Sequence, residues 1–448
     1  MELPAEIAQA LTQLNAAGYD AFVVGGSVRD SLLGKRPYDF DITTDALPEQ
    51  VKACFAGERV VETGIAHGTV TVVLHGMPIE ITTYRIDGSY RDNRHPDSVC
   101  FTPCLEEDLK RRDFTINALC YHPETGIRDL FCGVADLEKK LIRCVGEARQ
   151  RFEEDALRIL RALRFASVLG FEIEEQTKAA IFEKKELLLR IAAERVQVEL
   201  SKLLCGRDAQ RILMHYRDVI AVVVPEISAM FDFAQHSRYH DLDVWAHTCK
   251  ALGYIRPDLT LRLCMLFHDI GKPACFTIDE EGAGHFYGHA ELSAQMCQKI
   301  LRRLKYDVKT IKTVTSLVEV HDGYVRMSEV NIRRWLMQIG EERLRLLLEV
   351  QEADSYAHAP FCVAQRLSQI QTIRTMLEAV LEQKQCYSLK QLAVNGRDML
   401  EIGFAAGRQV GHALDALLDA VIAGRLENDR EALLAAARHI YEEKEGTK

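Results

Sequence analysis

Two aspartates, Asp39 and Asp41, stand two positions apart in the run RPYDFDITT. On a strand, side chains two apart share a face, so both carboxylates would point the same way. Such a paired anion among apolar neighbours is costly without a cation against it, and a divalent metal is its natural partner. Shortly before it, AFVVGGSVRDSLLG reads as a short apolar strand ending in Gly25 and Gly26, then a helix opening at Ser27. Glycines leave the backbone open to a ligand, and the free N–H groups of a helix start favour anions. One edge then suits phosphates and the other the metals that bridge them. The plainer alternative is a tight strand-to-helix turn followed by a strand with a solvated face.

Three more groups carry residue types that do chemistry. In KRRDFTINAL, three cations precede Asp113 and Asn117, which are four apart and would share one face of a helix starting near a triphosphate and a sugar. By itself this segment fits a basic helix terminus capped by an acid equally well. Six arginines, Arg143, Arg149, Arg151, Arg158, Arg161 and Arg164, share their segment with Phe152, Leu157, Leu160, Leu163 and Phe165 at amphipathic-helix spacing. Its polar face either meets nucleotide and RNA or is merely solvated, with Asp155 and Arg158 as an i,i+3 ion pair. The third group is His247, His268, Asp269, His285, His289, His321 and Asp354. Imidazoles and carboxylates in this number predict a metal site built across several helices.

The elements that must position these groups follow from the patterning. MELPAEIAQALTQLNAAG is an amphipathic helix, PEQVKACFA over 48–56 is a helix begun by proline, and TVTVVLHGMPIEITTYR gives strands over 69–74 and 78–84 with a turn at His75 and Gly76. Glu80 on the second strand is a third acid that faces either the metals or solvent. Residues 85–99 are polar and aperiodic, and are expected to form a mobile flap beside the site. Beyond Gln197 the chain is almost wholly helical, with Gly403, Gly407 and Gly411 at a spacing that lets helices or RNA backbone come close.

A chain of 448 residues should divide into roughly two to four domains. With 48% hydrophobic and 27% charged residues it has a globular composition, and no apolar run reaches the length of a membrane span. The N-terminal helix lacks a basic leader region, so a cytoplasmic location is expected. Thirteen cysteines without a CxxC pair fit reduced, mostly buried thiols. A net charge of −10 argues against non-specific coating of nucleic acid, so any such partner needs a local basic surface.

GGSVRDSLLG, DFD, RRDFTINAL, FEEDALRILRALRFA and ERVQVELSKLL, in that order over 21–204, resemble the motifs of the bacterial-type (class II) CCA-adding tRNA nucleotidyltransferases. The cluster from His247 to Asp354 is similar to the HD phosphohydrolase domain that some members carry. The resemblance implies an α+β chain: a polymerase-beta-like nucleotidyltransferase head with a mixed sheet (1–142), then an all-α neck that recognises the base (143–205), a body or connector (206–240), an HD-type metal-binding domain (241–360) and a tRNA-binding tail (361–448).

It further implies that Asp39 and Asp41 hold two magnesium ions, and that Gly25, Gly26, Ser27 and Arg29 cradle the triphosphate. Arg112, Asp113 and Asn117 would handle ribose and phosphate. Glu154, Asp155 and Arg158 match the family's base-selecting EDxxR element, with Arg161 also at the nucleotide. His247, His268, Asp269 and Asp354 would hold a second divalent transition metal, with His289 and His321 as further candidate ligands. The implied activity is addition of C, C and A to the 3′ end of tRNA from CTP and ATP, with release of pyrophosphate. The alternatives are a poly(A) polymerase, an enzyme adding only CC or only A, and an HD phosphohydrolase whose head merely binds nucleotide. The long flap favours full CCA addition, since CC-restricted relatives lack it.

Overall fold

The computed structural model describes residues 1–37, 39–62, 64–88 and 99–445. The chain forms two compact units, one comprising 1–228 with 303–306 and the other 229–302 with 307–448.

The first unit is built on a seven-stranded mixed sheet. Its strands are β1 (Ala21–Val24), β2 (Asp41–Thr44), β3 (Arg59–Val61), β4 (Thr69–Leu74), β5 (Met77–Thr83), β8 (Leu119–His122) and β9 (Gly126–Asp129), in the order β3-β4-β5-β2-β1-β8-β9. Only β2 and β5 run parallel, which sets Asp41 opposite Glu80. The alternation of TVTVVL is obeyed: Val70, Val72 and Leu74 are fully buried, and the residues between them are half-buried. The central strand β1 is buried throughout, as AFVV requires of a strand covered on both faces. Helix α1 (Ala5–Ala16) buries Ile7, Ala10, Leu11 and Leu14, its i, i+3, i+4, i+7 stripe. Helices α2 (Gly26–Leu32) and α3 (Pro48–Cys54) follow β1 and β2.

A separate two-stranded ribbon, β6 (Arg85–Asp87) with β7 (Val99–Phe101), forms the ends of the segment expected as a flap. The rest of that flap, 89–98, lies outside the described residues.

Three local expectations need correction. Asp39 is not part of the strand: β2 begins at Asp41, although buried Phe40 between two exposed aspartates keeps the out-in-out alternation. KRRDFTINAL is not a helix. It follows α4 (Leu105–Lys110) as a turn, a short 3₁₀ segment over Thr115–Asn117, and then β8. Phe114 is buried and bridged to Cys144, and Thr115 N donates to Arg143 O, so tertiary pairing overrides the local helical pattern. The arginine-rich segment is two helices, α6 (Ala148–Glu154) and α7 (Leu157–Leu169), set apart from β9 by α5 (Gly133–Glu138) and broken where Asp155 turns extended at φ −134°, ψ 100°. Helices α8 (Glu175–Lys184), α9 (Ala193–Leu204), α10 (Ala209–His215) and α11 (Arg217–Val223) complete the unit's larger elements.

The second unit is helical apart from a small ribbon, Thr277–Ile278 with Gly284–His285, among the described residues. Its helices are α12 (Val244–Tyr254), α13 (Leu259–Phe267), α14 (His289–Arg303), α15 (Val308–Val320), α16 (Glu329–Ile339), α17 (Glu341–Ala357), α18 (Pro360–Glu382), α19 (Gly396–Ile402), α20 (Arg408–Ile422) and α21 (Arg430–Glu445). The spaced glycines do not form one helix face: Gly403 ends α19 and Gly407 precedes α20, both at positive φ, and only Gly411 is helical. Among the described residues no helix is long and apolar enough to cross a membrane.

Candidate active site

A cavity of 420 Å³ opens in the first unit where the ends of β1 and β2, the turn at Asn117 and helix α7 meet. Six arginines, Arg29, Arg111, Arg112, Arg158, Arg161 and Arg164, line it against three aspartates, Asp41, Asp113 and Asp155. This is the local basic surface that the acidic chain as a whole lacks, and it suits a polyanion.

The glycine turn is one wall. Gly25 sits at φ 80°, ψ −130°, a conformation that L side chains rarely adopt, and a Cβ there would stand 3.3 Å from Arg112 Nη1. The guanidinium thus lies directly over the turn. Gly26 also lines the cavity, but Ser27 does not: it is buried, and its hydroxyl donates to Val24 O at 3.4 Å. Arg29 is buried, donates to Asn117 Oδ1 at 2.6 Å, and rests 5.1 Å over the Phe165 ring.

Asn117 in turn donates to Asp113 Oδ1 at 2.9 Å, and Arg161 grips Asp113 Oδ2 through Nε at 2.8 Å and Nη2 at 2.6 Å. The expected pairing of Asp113 with Asn117 is real, but a 3₁₀ turn makes it rather than a helix face. Burial alone would raise the Asp113 carboxyl; Arg161 and the Asn117 hydrogen bond overcome it and hold the group down at about 2. Phe114 N takes part of Oδ1 as well, so this carboxylate organises Arg161 and Asn117 more than it offers a free acceptor.

Asp41 lines the opposite wall, while Asp39 is exposed and, like Glu80, does not line the cavity. Asp41 starts β2 beside Glu80, and Asp39 precedes it. The Asp41 carboxyl is raised by partial desolvation first, then by repulsion from Glu80 and Asp39, while Arg112 pulls it the other way. A carboxylate crowded by two further acids is chemically suited to a divalent cation. Glu80, which the sequence left between metal and solvent, therefore lies beside the acid pair.

In the EDxxR element, each expected base reader has its own partner. Arg158 donates to Glu154 Oε2 at 2.9 Å and Arg111 O at 2.7 Å, while Asp155 Oδ2 accepts from Arg195 Nη2 at 2.9 Å. The alternative of an Asp155 to Arg158 side-chain ion pair is thus replaced by two separate clamps. Asp155 and Arg158 both line the cavity; Glu154 does not, and instead holds Arg158 and Arg151. Arg111, Arg164 and Phe165 were missed as site residues. The i, i+3, i+6 spacing of Arg158, Arg161 and Arg164 along α7 was a signal for Arg164, whose guanidinium stacks 3.9 Å over Phe165 and lies 2.6 Å from Glu199.

Residues 21–143 match the family model of the poly A polymerase head domain, 170–231 that of the probable RNA and SrmB-binding site of polymerase A, and 285–437 that of a putative tRNA nucleotidyltransferase domain 2. A CCA-adding enzyme of Levilactobacillus brevis is 36% identical over 97% of this chain and 98% of its own length. The chain belongs to the CCA-adding enzyme family. A CCA-adding enzyme of Leuconostoc mesenteroides is 47% identical over 55% of this chain and 63% of its own. The crystal structure of the Bacillus stearothermophilus CCA-adding enzyme in complex with CTP has a TM-score of 0.74 at 31% identity, covering 100% of both chains. Like others of the CCA-adding family, this is a nucleotidyltransferase, and family membership carries dependence on a divalent metal.

This CCA-adding family member also gathers the histidine cluster within its second unit. Asp269 Oδ1 lies 3.4 Å from His289 Nε2 and 3.6 Å from His321 Nε2, Asp269 Oδ2 lies 3.1 Å from His268 Nε2, and Asp354 Oδ1 lies 2.8 Å from His247 Nε2. His268 caps α13 and Asp269 follows it, so both point inward without sharing a regular helix face. Each of these four imidazoles turns Nδ1 to a backbone carbonyl: His247 to Ala357, His268 to Met265, His289 to Phe286 and His321 to Val318. That leaves Nε2 for a ligand, the arrangement seen around metal-ligating histidines. Among the described residues His268 Nε2 and Asp269 Oδ2 are buried without a completed hydrogen bond, and Lys272 Nζ stands 2.8 Å from Asp269 Oδ2. The donor atoms of His247, His268 and Asp354, and those of Asp269, His289 and His321, each lie within 4.8 Å of one another. His240 and His358 flank the cluster unannounced by the sequence, whereas His285 is bound to Asp279 at 2.7 Å outside it. A cavity of 530 Å³, lined also by Lys272 and Arg366, opens beside it.

Proposed function

We propose that this protein adds C, C and A in turn to the 3′ end of tRNA, taking them from CTP and ATP and releasing pyrophosphate. The observation that carries the reading is the cavity in which Asp41, two residues after Asp39, faces six arginines across a glycine turn. Asp39 and Asp41 would hold two magnesium ions, which when bound lower the pKa of the attacking 3′-hydroxyl and steady the departing oxygens. Phosphoryl transfer otherwise demands position and charge compensation. Gly25, Gly26 and Arg29 would cradle the triphosphate, and Arg112, Asp113 and Asn117, with Arg161 bound to Asp113, would handle ribose and phosphate.

Base choice rests on Asp155 and Arg158. Cytosine and adenine both offer an amine donor beside a ring-nitrogen acceptor, whereas uracil and guanine reverse both. Each Asp155 oxygen takes one protein donor, Leu157 N or Arg195 Nη2, leaving lone pairs for the amine. Arg158 spends three donor contacts, on Arg151 O, Glu154 and Arg111 O, and a guanidinium has five N–H groups, so donors remain for the ring nitrogen. A wrong base leaves buried polar groups unpaired at about 1 to 3 kcal/mol each.

In this reading 1–142 is the catalytic head, 143–205 the neck, 206–240 the connector and 361–448 the tRNA-binding tail, in a cytoplasmic enzyme. The test is incubation with tRNA lacking its 3′ end, magnesium and each labelled triphosphate. Incorporation of C then A, lost in Asp39→Ala, supports it; long A tails would select a poly(A) polymerase, and phosphate release without incorporation an HD phosphohydrolase.

The imidazoles tethered at Nδ1 favour a second reading beside the first. His247, His268, Asp269 and Asp354, with His289 and His321, would hold a divalent transition metal in an HD-type phosphohydrolase domain over 241–360. Metal analysis of purified wild-type and His268→Ala protein checks it; equal metal content would exclude these ligands.

A further inference from the structure

Asp108, on α4, is a fully buried carboxylate that no role above uses. Its Oδ1 accepts Arg111 Nε at 2.9 Å and Nη2 at 2.7 Å, and its Oδ2 accepts Thr43 Oγ1 at 3.0 Å and lies 3.5 Å from Arg112 Nη2. Thr43 stands two residues beyond Asp41 on β2, so Asp108 lies beneath the strand face that carries the acid. Both arginines line the cavity together with Asp41. Arg112 thus stands 3.5 Å from Asp108 on one side and shares the cavity with Asp41 on the other. Two carboxylates therefore compete for one guanidinium, and only Asp41 also faces the cation-binding wall.

We propose that Asp108 is a positioning residue that holds Arg111 and Arg112 at the phosphate side of the cavity and keeps Arg112 off the Asp41 carboxylate, leaving Asp41 for the metal. This rests on the nucleotide reading of the cavity. Without the Asp108 charge, Asp41 is the carboxylate left to attract Arg112 among the described residues, and a guanidinium held there excludes a divalent ion. The burial of Asp108 fits this role, because a carboxylate reachable by solvent or metal would bind arginine less exclusively.

The test measures equilibrium binding of Mn²⁺ by electron paramagnetic resonance and of CTP in EDTA by dialysis, on the full chain with His268→Ala in the reference and in every variant, so that the histidine cluster does not take up the ion. Asp108→Asn should weaken Mn²⁺ binding by about tenfold, the size of one lost charge-assisted contact. Adding Arg112→Gln to it should restore Mn²⁺ binding to near the wild-type level, a recovery that general misfolding would not give. Asp108→Glu keeps the charge but displaces it, so Mn²⁺ binding should hold while CTP binding in EDTA falls several-fold. Folded Asp108→Asn that binds Mn²⁺ as wild type does, or a loss that persists in the double variant, overturns the proposal. If Asp108→Asn does not fold, unchanged CTP affinity in Asp108→Glu overturns it instead. Wild type that fails to bind CTP at all overturns the nucleotide reading itself, which is a different result from intact CTP binding with unaltered variants.

Discussion

At the scale of residues, the site is a chain of paired charges, and each link has its own consequence. Asp113 is a carboxylate whose folded pKa lies below its unfolded value, so the stability it contributes is fully present above the ordinary carboxylate range near pH 4 and is lost as pH falls toward 2. Asp113→Asn should therefore be destabilised by about 2 kcal/mol at neutral pH, with the gap from wild type closing between pH 4 and pH 2; urea denaturation across that range measures it. Gly25 is a backbone case. Gly25→Ala meets both the unfavourable φ and the guanidinium of Arg112, so it should cost about 1 to 3 kcal/mol and also depress nucleotide binding, seen by denaturation and CTP titration. The spacing of Asp39 and Asp41 and the two glycines were legible in the sequence because the residues that make them special are adjacent. The partners of Asp113, Asp155 and Arg158 were not, since Arg161, Arg195 and the Arg111 carbonyl come from distant positions.

At the scale of elements, what matters is where regular structure stops. The extended residue between α6 and α7 lets Glu154 clamp Arg158 from behind while Asp155 faces the cavity. An unbroken amphipathic helix, as the arginine pattern suggested, would have set Asp155 and Arg158 against each other. Helix α9 then fixes Asp155 through Arg195. Arg195→Met should leave the fold standing yet lower the preference for CTP over UTP by about tenfold, as Asp155 loses its anchor; the ratio of kcat/KM values for the two nucleotides reads this out. Hydrophobic period drew β4, β5 and α3 to within a residue or two, and α1 with four residues too many at its start. It failed on KRRDFTINAL, whose local pattern is helical but whose Phe114 and Thr115 are claimed by pairing with the segment at Arg143 and Cys144.

At the scale of the whole molecule, the two clusters draw on residues of different units: Gly25 to Phe165 in one, His240 to Arg366 in the other. His268→Ala should therefore abolish any phosphodiesterase or phosphatase activity and spare nucleotide addition; a joint loss in parallel assays would show the sites to be linked. All thirteen cysteines are free thiols, and burial pushes Cys144 up to about 12. Excess reductant should leave the melting temperature unchanged, as calorimetry with and without dithiothreitol would show.

The sequence alone determined the division into a mixed sheet followed by helices, the glycine turn, the acid pair and the family, because these lie in short motifs where order and spacing carry the physics. Only the tertiary structure decided which partner each charge takes: that Glu80 stands beside Asp41, that Asp155 and Arg158 are held apart, and that six histidine and aspartate side chains from five stretches of chain gather in two groups of three. Electrostatic energy depends on distance in space and on burial, and neither is written in the separation of residues along the chain.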